Sequence, residues 1–152
     1  MSVVARLEGS ALAPEQELAA LLEQAAGDGA VVSFVGVARG ESRAGEAVDK
    51  LVLQHHPALT GKSLEDIARS ACERFPVSHV RVVHRCGDVA AGEAIVFAGA
   101  ASLHRRAAFE AADYLMDRLK TEAVFWKQEG GPAGVRWIEP TEADYADRER
   151  WG

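Results

Sequence analysis

Val80–Ala100 reads VRVVHRCGDVAAGEAIVFAGA, two apolar, β-branched runs set apart by Gly87-Asp88 and Gly92-Glu93. Val80–Cys86 and Ala94–Ala100 have strand composition, and the glycine-acid pairs between them carry turn chemistry. Strands that follow one another so closely pair with each other, which makes the sheet they seed antiparallel or mixed. The pattern recurs upstream and downstream. Val3–Leu7 and Ala30–Val37 (AVVSFVGV) predict strands, the second central by its apolar character. Val48–His56 predicts another, with Leu51, Leu53 and His55 on one face and Pro57 closing it. Val124–Gln128 and Val135–Ile138 predict short strands around Gly130-Gly131-Pro132.

Single helices interleave with these strands. Pro14 suits a helix start, with acids Glu15 and Glu17 in the first turn and an apolar stripe of Leu18, Leu21, Leu22 and Ala25. Ser63–Phe75 has its stripe at Leu64, Ile67, Ala68, Ala71 and Phe75, and Pro76 ends it. A third helix within Ala101–Glu129 places Phe109, Ala112, Met116 and Leu119 on one stripe. The expected class is α+β: a sandwich of a mixed or antiparallel sheet with three main helices on one side. Neither GxGxxG after a strand nor GxxxxGK[ST] occurs, so nucleotide-binding loops are absent.

A chain of 152 residues that is 48% hydrophobic accommodates one domain with a real core and is short for two. Residues 1–152 therefore read as a single domain in which 139–152 form a charged tail that wraps a neighbour or frays. A net charge of −6 argues against nucleic-acid partners and against a basic membrane-surface helix. No window approaches the roughly 20 apolar residues of a membrane span, and a soluble, cytoplasmic protein is expected. Cys72 and Cys86 form neither a CxxC pair nor part of a metal-spaced cluster, and read as buried small residues. His55-His56 are neighbours on a strand and point to opposite faces, which disfavours chelation; no metal is expected. Trp126, Trp137 and Trp151 read as core or interface fillers.

Within this acidic chain, cations gather around the third helix. His104, Arg105 and Arg106 crowd its N-terminus, where the helix dipole disfavours positive charge by about 0.3–1 kcal/mol each unless an anion is bound. Lys120 lies in the last turn. Lys127 follows in a strand-like VFWKQ run, sharing a face with Phe125 and Glu129, where apolar and cationic neighbours lower a lysine pKa. Arg39, bracketed by Gly36 and Gly40 at a strand end, suits bidentate phosphate recognition. His104 and Lys120 are sixteen positions apart, about 24 Å along a continuous helix and about 160° around it. One small ligand touches both only if two copies of the chain bring opposite helix ends together. Gly40–Ala47 (GESRAGEA) reads as a mobile polar loop. The residues alone leave two classes open: an enzyme acting on an anionic metabolite, or a non-catalytic ferredoxin-like dimer binding a phosphorylated one.

GAVVSFVGVAR, LVLQHHPAL, VVHRCGDVAAGEAIVFAGAAS, HRRAAFEAADYLMDRLKTEAVFWKQE and the closing RWIEP together resemble the large catalytic subunit of molybdopterin synthase. The resemblance runs from about Gly27 to Trp151 in unbroken order, and the HRxxAFEA…LK…FWK series is its most specific part. It implies an α/β hammerhead fold related to ferredoxin-like sandwiches, and a homodimer within a heterotetramer. The partner implied is a small ubiquitin-like sulfur-carrier subunit whose C-terminal Gly-Gly thiocarboxylate delivers sulfur twice to cyclic pyranopterin monophosphate. This sulfurtransferase chemistry calls for no metal or other cofactor. The implied substrate pocket falls on Val37, Ala38 and Arg39, on His104 and Arg105 from the neighbouring protomer, and on Lys120, Lys127, Gln128 and Glu129. Lys120 and Lys127 are the implied catalytic pair. Two departures stand out: Val124 where the family pattern has proline, and Gln128 where a second base is common.

Overall fold

The computed structural model describes residues 2–152, as eight strands and four helices. β1 (Ser2–Glu8), β4 (His79–Arg85), β6 (Ala94–Ser102) and β2 (Ala30–Val37) make the first sheet, in the order β1-β4-β6-β2. β1 runs parallel to β4 while the other pairs are antiparallel, so this sheet is mixed, with β4 and β6 adjacent as their sequence predicts. β5 (Gly87–Ala90), β3 (Lys50–His55), β7 (Phe125–Gly131) and β8 (Gly134–Ile138) make a second, wholly antiparallel sheet.

The stretch from Gly87 to Ala90 is expected as a turn and is instead a strand of the second sheet. Gly87 and Gly92 adopt φ of +85° and +90°, a region open to glycine at little cost. They turn the chain out of the first sheet, let it pair with β3, and return it to β6. The Gly-acid pairs are thus corners between sheets.

α1 (Pro14–Gln24) lies on one face of the first sheet, while α2 (Leu59–Arg74) and α3 (Arg105–Glu122) lie on the other. The expectation of helices on one side fails because β4 and β6 are apolar on both faces. Val80, Val82, Val96, Ala98 and Ala100 meet Leu64, Ile67, Ala68, Ala71 and Leu115. Val83, Phe97 and Ala101 meet Leu21. Gly99 leaves room for that leucine, since a Cβ there would fall 2.6 Å from Leu21 Cδ2. Glu17 of α1 anchors the same face, accepting from Arg6 at 3.1 Å and from Arg81 at 2.9 Å.

Further expectations need correction. β2 is an edge strand, not a central one, and Phe34, Val35 and Val37 on it are exposed. Phe109 is exposed too: α3 buries Ala108, Ala111, Ala112, Tyr114, Leu115 and Leu119, a stripe of mostly smaller residues that packs more closely. α2 starts at Leu59, before Ser63, because His56 Nδ1 accepts from the free amides of Ala58 and Leu59 at 3.1 and 3.0 Å. Trp126 and Trp137 lie outside the core, half-exposed on β7 and β8. The charged tail is a fourth helix, α4 (Glu142–Glu149), opened by a reciprocal Thr141–Asp144 capping box. It is fastened to α3: Trp151 Nε1 donates to Asp117 at 2.7 Å and its ring meets Phe75 and Tyr114 edge-on. Among the described residues no helix is long and apolar enough to cross a membrane.

Candidate active site

β2 ends where the two sheets meet, and its last residues feed directly into the site. Ala38 is held on both sides of its peptide: its N–H donates to Glu93 O and its carbonyl accepts from Gly92 N, each at 2.8 Å. Arg39 leaves this clamp with an exposed side chain. From the other side, β7 presents Lys127 and Glu129 on the face it shares with Leu53 and Leu51 of β3, their register partners. The start of β7 is tied to α2: Val124 N–H donates to Ser63 Oγ at 3.2 Å, and Thr60 Oγ1 donates to Val124 O at 2.6 Å. The first of these bonds needs an amide hydrogen, which a proline at 124 would lack. The departure at Val124 therefore comes with its own means of aiming β7.

These elements enclose a cavity of about 610 Å³. Val37, Ala38, Arg39, Lys120, Lys127 and Glu129 all line it, together with His84, Met116 and the loop residues Glu41 and Arg43. A smaller adjoining recess of about 210 Å³ shares Arg43, Lys120 and Lys127 and reaches Asp144 and Tyr145 of α4. Five cationic side chains and three carboxylates line the larger cavity, the reverse of the balance in the whole chain. One cation is neutralised, Arg136, which lies 3.2 Å from Glu46 and 3.5 Å from Glu129. Arg39, Arg43, Lys120 and Lys127 make no ion pair with any described residue. Four cations free of ion pairs, and a cationic excess in the lining, make this recess suited to an anion.

Lys127 is the most perturbed of them. Burial, and then the charge of Lys120, push its pKa down from 10.5 to about 8, with Asp144 opposing. A side chain so poised gives a proton as the ammonium and takes one as the amine near neutral pH. His84 is pushed to about 4, chiefly by burial, against the opposing effect of its bond to the Arg85 carbonyl, with Lys127 and Lys120 adding to the decrease.

Three of the residues singled out by sequence do not line this cavity. Gln128 faces the opposite side of β7, beside Val52 and Trp137. His104 and Arg105 stand exposed at the start of α3, an unbroken helix of 18 residues whose far end carries Lys120. Within one chain they cannot reach the cavity. No group of three or more His, Cys, Asp or Glu side chains suited to a metal ion occurs among the described residues.

The model of the MoaE protein family matches residues 8–122. The chain belongs to the MoaE family. Among its relatives, the molybdopterin synthase catalytic subunit of Caulobacter vibrioides is 51% identical over 123 residues, covering 81% of this chain and 80% of that protein. The catalytic subunit from Pseudomonas aeruginosa is 45% identical over 146 residues, covering 96% and 97%. Among solved structures, the molybdopterin biosynthesis MoaE protein of Burkholderia ambifaria superposes with a TM-score of 0.83 at 36% identity, covering 99% of each chain. A complex of subunits 1 and 2 of molybdopterin-converting factor from Helicobacter pylori shares the fold, with a TM-score of 0.71 at 23% identity over 92% of this chain and 90% of that one.

Sequence reasoning missed several residues of this MoaE cavity. Arg43 sits in the loop expected to be mobile, which is in fact closed by a Glu41–Ala47 bridge and by Ser42 N–H donating to Glu46 O at 2.8 Å. Ser42 is buried within an otherwise polar stretch, and nothing in the local pattern announces this. His84 has no partner in sequence; its position at the sheet junction becomes visible only once β5 is seen to leave the first sheet.

Proposed function

We propose that the chain is the catalytic subunit of a molybdopterin synthase, a sulfurtransferase. It transfers two sulfurs from the thiocarboxylated C-terminus of a small ubiquitin-like carrier to cyclic pyranopterin monophosphate, forming the dithiolene of molybdopterin. The observation that carries this reading is the cavity in which Arg39, Lys120 and Lys127 arrive from three different elements, none of them in an ion pair with a described residue, within a lining of five cations and three carboxylates. Family membership adds the substrate class, and the catalytic subunits of Caulobacter vibrioides and Pseudomonas aeruginosa bear that name over most of their length.

In this proposal Arg39 holds the phosphate and pterin oxygens by charge-assisted hydrogen bonds, with Val37 and Ala38 shaping the wall beside it. His104 and Arg105 join them from a second copy of the chain. Supporting such a homodimer, β2 offers an unpaired edge with exposed Phe34, Val35 and Val37, and Leu103 and Phe109 are exposed beside the cationic start of α3. Lys120 meets the carrier's C-terminus, stabilising the thiocarboxylate and then the acyl intermediate that water returns to a carboxylate. Lys127 moves protons as the cyclic phosphate opens. Glu129, tethered by Arg136, borders the same space, while Gln128, on the opposite face of β7, is given no part in it.

A module that only bound a phosphorylated metabolite would gain most from a fully charged Lys127; a pKa near 8 serves proton transfer better. Both sheets and two helices, α3 and α4, contribute to the two recesses, so the whole chain is taken as one functional unit. The test is reconstitution: purified chain, thiocarboxylated carrier and cyclic pyranopterin monophosphate, scored for dithiolene. Formation of the product only when all three are present is expected. Failure with a carrier that is active beside a known catalytic subunit would refute the reading.

A further inference from the structure

His84 has no part in the mechanism above, yet it borders the cavity with a side chain only 5% exposed. Its ring stacks on Phe125, centroids 4.2 Å apart and planes at 27°, two residues along β7 from Lys127 and on the same face. Nδ1 lies 2.8 Å from the carbonyl oxygen of Arg85. A carbonyl only accepts, so Nδ1 carries the hydrogen and Nε2 a lone pair. Among the described residues, the sealed side-chain atoms lacking a hydrogen-bond partner are Nε and Nη1 of Arg85, the latter 3.8 Å from Glu93. Nε2 of His84 makes no hydrogen bond to a described residue and is not among these sealed atoms, and His84 lines the cavity.

This lone pair is unusual company for its neighbours. Lys127 and Lys120, whose charges act on it, are donors only while charged, and its strand partner Val96 and the cavity residue Leu53 are apolar. Protonating the ring would place a further buried cation next to two others, and the low pKa expresses that cost. The imidazole thus stays neutral, and an acceptor, above about pH 4, which includes the neutral range.

We propose that His84 is a substrate-contacting residue whose Nε2 accepts a hydrogen bond from a ring N–H of the reduced pterin while the cations hold its phosphate. The proposal rests on the reading of this cavity as the pterin site. Cations alone recognise any phosphate of the right size. A desolvated acceptor discriminates, because a ligand without a matching donor leaves it unpaired.

Isothermal titration calorimetry on the purified chain, with cyclic pyranopterin monophosphate and with inorganic phosphate, tests it. His84→Phe keeps the stack on Phe125 and removes the lone pair. The expected result is a roughly 10- to 100-fold weaker affinity for the pterin, with phosphate affinity unchanged. Wild-type affinity of the variant for the pterin, or an equal loss for both ligands, would overturn the assignment. A wild-type chain that does not bind the pterin would overturn the functional reading itself, and this proposal with it. Nitrogen-15 NMR of the wild-type His84 ring needs no variant: the Nε2 resonance should move upfield on adding the pterin and hold still with phosphate. A resonance indifferent to the pterin would also overturn the assignment.

Discussion

Lys120, in the last turn of α3, and Lys127, on β7, border one cavity, and the charge of the first helps burial to hold the second at a pKa of about 8. The chain spends stability on this pair. Between about 8 and the ordinary 10.5 the unfolded chain binds a proton at Lys127 that the folded chain has lost, so this group makes stability rise with pH through that window. Removing Lys120's charge should relax the effect. Lys120→Ala is expected to move the Lys127 midpoint upward in an NMR titration, and to cut dithiolene formation by roughly 100-fold or more with the fold intact. An unmoved midpoint would break the electrostatic link, and near-normal turnover would remove Lys120 from the chemistry.

A pocket shared between copies has a genetic signature. Chains carrying Arg39→Ala and chains carrying His104→Ala should each be inactive as homodimers. Mixed, they should recover one working site in each heterodimer, because one pocket then draws both residues from unmutated positions. Activity of the mixture no greater than that of either parent would show that each site is built within one chain.

Acid should weaken the fold through His84. Its folded pKa of about 4 lies below the ordinary 6.5, so the unfolded state binds the extra proton between those values and stability falls as pH drops through them. The full effect is on the order of 3 kcal/mol for this buried ring. Glu17 and Asp144, whose pKa values are lowered from ordinary carboxylate positions, act at lower pH and leave the upper part of this window to histidine. Denaturant midpoints of the wild type should decline from pH 6.5 to 5, and those of His84→Phe should stay level. Parallel declines would assign the slope elsewhere.

Gly131 at the end of β7 has no room for a side chain, because a Cβ there would press into the carbonyl of Ala47. That contact lets the 40–47 loop, and Arg43 on it, lie against the second sheet. Gly131→Ala is expected to lower stability by about 1–3 kcal/mol and to reduce affinity for the anionic substrate. Unchanged melting temperature and affinity would show that the loop is placed by other contacts.

How much of this was legible beforehand depended on the range of each interaction. Composition and turn residues marked all the strands but β5, because a strand's own residues carry its pattern. Gly87-Asp88 looked like a turn because a corner between sheets and a hairpin turn ask for the same glycine. β2 reads as central because an apolar run signals burial, and here Phe34, Val35 and Val37 are left uncovered by the chain's own elements. The charged 139–152 segment hid an amphipathic logic that only α3's acids Asp113 and Asp117 reveal, by pairing with Arg150. In the site, helix geometry was enough to separate His104 from Lys120. Residues such as Arg43 and His84 depend on long-range packing and could not be found from spacing.

The most direct measurement is a crystal structure of the chain with cyclic pyranopterin monophosphate bound. The phosphate should lie in the cavity beside Arg39 of one copy, within hydrogen-bond reach of His104 and Arg105 of another, with Lys120 and Lys127 turned toward the pterin. Density for the ligand outside this cavity, or held entirely by one copy with His104 and Arg105 left in solvent, would contradict the account.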